Sequence, residues 1–392
     1  MRVRDGMGKC EDPRDGKEGR GLSGKAESVS SLFLLAAVAY RFGDEGEAAR
    51  LAKLAGRMTP SGMDRLTVNA AYHELEPLLH LIATDCSACD QPLELPPELA
   101  ARWSQVHARE AARSTIIHYG AEKALSALAE AGVRAAPLKG FFLASESYEK
   151  KSARAFKDLD LLVEPDTLAQ LNEALLGAGF QPASHRPAFV PAPAYTVYSL
   201  PLEGSDTAME IDIHTGMHWP GEYESRTSFR SEDLWSYSSR HEVEGMPAWV
   251  LSPEHLIITT FLDVAVNHRY ARLVKFRDIL EILSGTEVDW AETEDWCRRW
   301  DVRSFVGPGL RYLDGMDSSL AIPSGTLDAM LPSYAAMKMF TRFLPVSALP
   351  DHRSRSFSLA NLLFFVLADA PRERANGLLR LPGHMLRGRK RF

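Results

Sequence analysis

Lys157-Asp158-Leu159-Asp160-Leu161-Leu162-Val163 is the stretch of sequence that decides the fold. Its pattern predicts a β-strand, in which successive side chains point to opposite faces of a sheet. Asp158 and Asp160 therefore share one face. Two neighbouring carboxylates on a buried strand repel each other and are costly to desolvate. A hard divalent cation with oxygen ligands removes that cost, so the stretch indicates a metal site, the alternative being a solvated strand face.

A second stretch, Met209-Glu210-Ile211-Asp212-Ile213-His214, repeats the pattern. Glu210, Asp212 and His214 share one face of this predicted strand, and the apolar residues share the other. If the two strands are neighbours with their polar faces on the same side, three or four carboxylates converge. That arrangement suits one or two Mg²⁺ ions that hold a nucleoside triphosphate for in-line displacement.

A short apolar strand ends in a glycine turn upstream of the acidic strand. This segment is Val133-Arg134-Ala135-Ala136-Pro137-Leu138-Lys139-Gly140, and a predicted helix follows it. Backbone N–H groups at such a turn can face a phosphate, and the ammonium of Lys139 can add a charge for the same anion. Any strand-to-helix turn accepts glycine, so the order of strand, turn, helix and acidic strand carries more weight than Gly140 alone.

The order of these motifs resembles that of one protein family, the uncharacterised bacterial nucleotidyltransferases of the DNA polymerase beta-like superfamily. The similarity lies in Leu138-Lys139-Gly140, then Arg154, then Asp158-x-Asp160-Leu161-Leu162-Val163, then Asp212-Ile213-His214. It covers roughly Val133 to Asp278. The chain departs from the pattern in having Lys139-Gly140 where the superfamily usually has Gly-Ser. The family also often has a tryptophan directly after the histidine, whereas here three residues separate His214 from His218-Trp219.

The resemblance implies transfer of a nucleoside monophosphate from an NTP, with Mg²⁺, or alternatively Mn²⁺, as the cofactor. The catalytic and metal-binding residues that it implies are Asp158, Asp160 and Asp212. The nucleotide-binding residues that it implies are Lys139, Gly140, Arg154 and Lys275. Arg154 would pair with the acidic strand or contact phosphate. The alternative for Lys275 is an ordinary charged helix face on which it pairs with Asp278. His214 either orients a metal-binding carboxylate or contacts the substrate, or it is a hydrogen-bonded structural residue.

Composition favours a globular protein with a large core. The chain has 392 residues, of which 45% are hydrophobic and 25% charged. Its net charge of −7 argues against nonspecific nucleic-acid binding through the whole surface. The apolar run Ser31–Tyr40 is shorter than the ~20 residues that a membrane span needs, so we expect no membrane span and a cytoplasmic protein. An oligomeric state does not follow from these numbers.

Two local features have a plain and a functional interpretation. Cys86-Ser87-Ala88-Cys89 has CxxC spacing without a second close pair, which favours an inert reduced pair over a metal or redox site. The basic segment Arg387–Arg391 is typical of a solvated chain end, and contact with an anionic lipid or nucleic acid is its functional alternative.

The sequence predicts an α+β fold in which a small mixed-sheet nucleotidyltransferase core lies between two helical lobes. The expected divisions are a disordered tail over 1–27, a helical region over 28–131, the core over 132–250 and a second helical region over 251–392. Within the first helical region, periodicity predicts one helix over Met63–Ile82.

These observations favour a Mg²⁺-dependent nucleotidyltransferase whose acceptor is a small molecule, a sugar, a peptide or a protein side chain. One alternative is a non-catalytic member of the same fold that binds nucleotide or a partner within a biosynthetic complex. A second is an RNA-modifying nucleotidyltransferase toxin. Because Asp158 repels Asp160, the sequence also predicts that Asp160→Asn leaves the metal-free protein as stable as before or more stable.

Overall fold

The computed structural model describes residues 29–87, 92–183, 195–202, 208–217, 227–268, 270–317, 319–320 and 322–331. The predicted tail over 1–27, Cys89 of the CxxC pair and the basic segment Arg387–Arg391 lie outside the described residues. Cys86, the other member of the pair, is buried with a reduced thiol.

Five helices precede the sheet: α1 Val29–Ala39, α2 Glu45–Ala55, α3 Pro60–Tyr72, α4 Glu76–Cys86 and α5 Pro97–Glu130. The side chains of Asp44 and Thr59 cap α2 and α3 by accepting backbone N–H groups of the first turn. The single helix predicted over Met63–Ile82 is wrong, because two helices meet there. Glu74 adopts a φ of 59° between them, a left-handed conformation that ends a helix.

Helix α5 is the longest element, with 34 residues and a length of about 51 Å. It runs unbroken along the sheet, and Gly120 lets it approach closely. A Cβ at Gly120 would lie 2.6 Å from the sulfur of Met209, so a larger residue at this crossing would force the Met209 side chain to shift.

The central sheet has five strands in the order β1-β2-β5-β4-β3. They are β1 Ala135–Leu138, β2 Leu159–Val163, β3 Gln181–Pro182, β4 Tyr195–Pro201 and β5 Ala208–His214. Strands β2 and β5 are parallel, and the other neighbours are antiparallel. Between β1 and β2 lies helix α6 Lys139–Glu146, and α7 Leu168–Gly177 follows β2. Strands β4 and β5 pair from Tyr195 opposite His214 to Pro201 opposite Ala208.

A short helix and a hairpin lead from the sheet to the second helical region: α8 Ser231–Ser236, β6 Ser239–Val243 and β7 Met246–Val250. The helices beyond them are α9 Pro253–Leu262, α10 Leu273–Gly285, α11 Trp290–Arg299, α12 Arg303–Met316 and α13 Ser324–Met330. Ser252 caps α9 as its Ser-Pro signal predicts. A five-residue π-helical turn, Asp263–Asn267, continues α9.

One continuous apolar core joins the helices and the sheet, and its buried members run from Phe33 to Met330. The predicted α+β class, with a mixed sheet between two helical regions, is thereby confirmed. Among the described residues no helix combines the length and the apolar character that crossing a membrane requires.

Candidate active site

The two acidic strands lie side by side in the sheet. Parallel pairing places Asp160 opposite Asp212, and residues in register on neighbouring strands point to the same face. His214, two residues beyond Asp212, lies on that face as well. One ligand atom from each of Asp160, Asp212 and His214 can be chosen so that all three lie within 4.8 Å of one another. The adjacency on which the metal-site prediction depended is therefore present.

Asp160 is the centre of a short hydrogen-bonded chain. Its Oδ1 accepts the ammonium of Lys139 at 2.7 Å and lies 2.8 Å from Nε2 of His214. Burial by itself would favour the protonated acid, but Lys139 and His214 outweigh it and hold the pKa of Asp160 well below its usual range. This carboxylate is ionised and held in one orientation.

The backbone of Lys139 explains how its side chain meets Asp160. Lys139 follows Leu138, which is the register partner of Asp160 on β1. It adopts a φ of 51°, a conformation that costs a residue other than glycine on the order of 1 kcal/mol. Because such conformations concentrate at ligand-binding sites, the turn is a functional candidate in its own right.

Asp158 titrates in the opposite direction from Asp160. Burial, followed by the charges of Asp160 and Asp212, raises the pKa of Asp158 from 3.8 to about 7, against the ammonium groups of Lys139 and Lys275. Asp158 directly precedes β2 and Asp160 lies within it, and two neighbouring carboxyl groups whose pKa values are driven apart are typical of catalytic sites.

Gly140 has a steric role at the start of α6. A Cβ at this position would lie 2.7 Å from the Cβ of Phe156, two residues before Asp158. The glycine therefore lets α6 pack directly against the segment that leads into β2. Its backbone N–H is in the first turn of α6, where helix N–H groups have no partner within the helix.

Arg154 occupies neither of the positions that the family resemblance implies. It is 5% exposed, and its Nε and Nη2 atoms donate to the two carboxylate oxygens of Asp278 at 2.6 and 3.0 Å. Its Nη1 donates to the carbonyl of Ala155, and the hydroxyl of Tyr148 donates a hydrogen bond to Oδ1 of Asp278 at 2.8 Å. Arg154 is thus a buried structural residue that ties β2 to α10, and it does not pair with the acidic strand.

Lys275 approaches the acidic strand from α10. Its ammonium lies 2.9 Å from Oδ2 of Asp263, so the alternative in which it pairs with Asp278 is wrong. Its charge lowers the pKa of Asp158, and the carboxylate of Asp263 in turn raises the pKa of Lys139. Asp263 was missed from the sequence. The sequence signal that points to Asp263 is an acidic residue directly after the mostly apolar helix segment Leu256–Leu262.

The charges of this cluster do not cancel. Its acidic members are Asp158, Asp160, Asp212 and Asp263, and its lysines are Lys139 and Lys275. With all six groups ionised and the histidines neutral, two negative charges remain, which is the charge that one divalent cation supplies. Carboxylate oxygens are the donors that Mg²⁺ and Mn²⁺ prefer, so the cluster fits such an ion.

The sequence profile of one family, described as uncharacterised nucleotidyltransferases, matches residues 59–316. The chain belongs to this family. The match contains the five-stranded sheet, the aspartates of the cluster and both lysines, so membership and site geometry concern the same part of the chain.

Other comparisons are more distant. An antigenic nucleotidyltransferase-like protein from Paracoccidioides brasiliensis, known from its crystal structure, is similar at 15% sequence identity with a TM-score of 0.34. The similarity covers 58% of this chain and 94% of that protein. No curated protein matches the chain.

A cavity of about 740 Å³ opens at the carboxyl ends of the parallel strands of this nucleotidyltransferase-family chain. Arg134 lines the cavity, where it pairs with Glu164 and lies 5.1 and 5.0 Å from the ring centroids of Trp235 and Trp249. Glu164 shares the strand face of Asp160, about 13 Å further along. Thr215, which follows His214, also lines the cavity. Its volume lies in the range of small-molecule sites.

Proposed function

We propose that this protein is a divalent-metal-dependent nucleotidyltransferase. In the reaction, a hydroxyl oxygen of the acceptor attacks the α-phosphorus of an NTP, pyrophosphate leaves, and the hydroxyl proton is released. The observation that carries the proposal is the in-register pairing of Asp160 with Asp212 beside Asp158, in a chain of the nucleotidyltransferase family. Three carboxylates at one point of a sheet suit phosphoryl transfer, in which catalysis is mostly positioning and charge stabilisation.

We assign metal binding to Asp158, Asp160 and Asp212, with Mg²⁺ as the first candidate and Mn²⁺ as the second. The bound ion would neutralise triphosphate charge and lower the pKa of the acceptor hydroxyl. His214 is better suited to orienting than to ligation, because its Nε2 lies within hydrogen-bonding distance of Asp160 and hard cations prefer oxygen. It would keep the Asp160 carboxylate directed at the ion.

We assign the triphosphate to two ammonium groups that reach the acidic face from different helices. Lys139 lies at the start of α6 and Lys275 on α10, and both act on the charge of Asp158. The first-turn N–H of Gly140 can add a hydrogen bond to the same phosphates. Arg154 is left out of this assignment because its guanidinium is buried against Asp278.

We place the acceptor in the cavity that Glu164 and Thr215 line, beyond the carboxyl ends of β2 and β5. Its volume and its aromatic lining support a small hydroxyl-bearing molecule over a protein or a nucleic acid. The carboxylates that line it can accept hydrogen bonds from acceptor hydroxyls.

Calorimetry of each NTP, in Mg²⁺ and in EDTA, tests the proposal. We expect binding that requires Mg²⁺ and that falls by at least about tenfold in Asp212→Asn, since one charged ligand is lost. Asp314→Asn is the matched control, because it removes one carboxylate from an exposed pair with Arg311 outside the cluster. Equal NTP affinity in EDTA and in Mg²⁺ would contradict the metal assignment.

Turnover separates the catalytic proposal from its rivals. NTP labelled at the α-phosphate is incubated with the protein and with fractions of small molecules, protein or RNA. We expect label to appear in a small-molecule product together with released pyrophosphate. Label in RNA would instead identify an RNA-modifying enzyme, and tight Mg²⁺–NTP binding without any labelled product would identify a non-catalytic nucleotide-binding protein.

A further inference from the structure

Asp263 is a buried acid at a change of helix geometry. It begins the π-helical turn Asp263–Asn267 and is 4% exposed. The backbone N–H of His268 donates to the carbonyl of Asp263 at 3.1 Å, five residues back, which is the bond that defines a π-helix. Such turns are rare and concentrate at functional sites.

The turn gathers three partners around one carboxylate. Asn267 donates from Nδ2 to Oδ1 of Asp263 at 2.9 Å, and Lys275 lies 2.9 Å from Oδ2. Nε2 of His268 approaches the same Oδ2 at 3.5 Å. Both carboxylate oxygens of Asp263 therefore have partners. Asn267, in the same helical turn, fixes the orientation of the carboxylate, which also binds Lys275 on α10.

Helix α10, which carries Lys275, is anchored to the acidic strand by a separate contact. Asp278 lies one turn beyond Lys275 and forms the buried bidentate pair with Arg154, which precedes Asp158 by four residues. This anchor sets the position of the helix. The long side chain of Lys275 still has to be directed, and Asp263 supplies the contact that does so.

We propose that Asp263 is a positioning residue that holds the ammonium of Lys275 toward the triphosphate of the bound NTP. The inference rests on the proposed function, because it takes Lys275 as a triphosphate contact. Lysine loses considerable rotamer freedom when it is fixed in one orientation, so a lysine that is already held binds an anion more tightly than a mobile one.

The charge of Asp263 by itself predicts the opposite effect. A carboxylate near a triphosphate repels it, so Asp263→Asn would strengthen NTP binding if the residue acted only through its charge. If Asp263 positions Lys275, the same variant weakens NTP binding. The sign of the change therefore distinguishes the two roles.

The experiment measures Mg²⁺–NTP and Mg²⁺–NMP affinity by calorimetry in the full-length protein. We expect Asp263→Asn to weaken NTP binding by about tenfold and to leave NMP binding within about twofold, since NMP lacks the outer phosphates. In a Lys275→Met background, Asp263→Asn should cause no further loss. Unchanged or tighter NTP binding in Asp263→Asn, or losses that add in the double variant, would overturn the proposal.

A matched control and a second readout guard against a purely structural effect. Glu281→Gln removes a buried acid from the same helix α10, where it pairs with Arg277, and should leave NTP affinity unchanged. Acetylation of Lys275, followed by mass spectrometry with exposed Lys53 as the internal standard, needs no nucleotide. We expect faster acetylation of Lys275 in Asp263→Asn and not in Glu281→Gln.

The two readouts fail differently. Acetylation of Lys275 at the wild-type rate in Asp263→Asn would overturn the positioning role even if NTP binds. Wild-type protein that binds no NTP in Mg²⁺ would overturn the proposed function, and the inference with it, whatever the acetylation rate.

Discussion

Replacing Asp158 and Asp160 separately by asparagine should change the stability of the metal-free protein in opposite directions. Asp158 has a pKa of about 7 in the folded chain against an ordinary value of 3.8. At about 1.4 kcal/mol per pH unit, ionising this group in the folded state costs about 4 kcal/mol. Asp158→Asn removes that cost, so the variant should be more stable than the wild type above about pH 7, by at most about 4 kcal/mol.

The pH dependence follows from the direction of the shift. Because the folded-state pKa of Asp158 is raised, the folded protein binds more protons than the unfolded chain between about pH 4 and about pH 7. The unfolding free energy of the wild type therefore loses this contribution as the pH rises through that window, and Asp158→Asn does not. The difference between the two proteins should vanish near pH 4 and level off above about pH 7.

Asp160→Asn should have the opposite sign. The carboxylate of Asp160 contacts Lys139 and His214 at 2.7 and 2.8 Å, and losing it leaves the Lys139 ammonium without its partner. We expect a loss of about 3 kcal/mol at neutral pH. The sequence alone predicts unchanged or higher stability for Asp160→Asn. The contacts in the structure instead predict higher stability for Asp158→Asn and lower stability for Asp160→Asn.

Urea unfolding in EDTA, at about pH 5 and about pH 8, measures both effects. The wild type and the two variants are compared at equal ionic strength, so titrations that they share cancel in the difference. A stability gain in Asp160→Asn, or a loss in Asp158→Asn at the higher pH, would refute this reasoning. Asp160 would then not be stabilised by its contact with Lys139, or Asp158 would not be costly to ionise in the folded protein.

Three further variants test the surroundings of the site. Gly140→Ala should lower the unfolding free energy by about 1–3 kcal/mol and weaken NTP binding, because the added Cβ displaces Phe156. A thermal melt measures the change in stability, and a titration measures the change in NTP affinity. Asp278→Asn should cost about 3–5 kcal/mol by leaving Arg154 buried without its partner, and denaturant unfolding should show recovery in the double apolar variant Arg154→Met/Asp278→Leu. Burial lowers the pKa of His255 from 6.5 to about 4, so protonation of this group removes about 3 kcal/mol from the unfolding free energy of the wild type as the pH drops between these values. His255→Phe lacks this contribution, so a pH series of unfolding curves should show the difference in unfolding free energy between the two proteins changing by that amount.

Strand periodicity was enough to find the acidic face. Asp160 and Asp212 occur in two stretches whose alternating pattern predicts one polar face for each strand. In the structure the two strands are neighbours, and Asp160 lies opposite Asp212. The parallel register that places them opposite each other depends on pairing across the sheet, which a local pattern does not contain. The mixed-sheet class was predictable for the same reason, since it follows from the sequence of short strands and long helices.

Two side-chain pairings of the site could not be predicted from local spacing. Arg154 pairs with Asp278 across 124 residues, whereas its spacing from Asp158 alone suggested a phosphate or the acidic strand. The alternative in which Lys275 pairs with Asp278 on its own helix is wrong, because the structure pairs Lys275 with Asp263 on the preceding helical segment. Sequence spacing indicates only partners that are close in the chain. Folding brings charged residues together from distant parts of the chain, and a buried charge pairs with the charge that lies closest to it in the fold.

The joint between Arg154 and Asp278 bears on how the protein can be dissected. Both side chains are almost fully buried, at 5% and 0% exposure, and each belongs to a different side of the site. A fragment that ends before α10 would retain Arg154 as an unpaired buried charge at the entrance to the acidic strand. We therefore expect a fragment that ends before α10 to be less stable than one that extends beyond Asp278. Exchanging helical regions between relatives would have to exchange the arginine and the aspartate together.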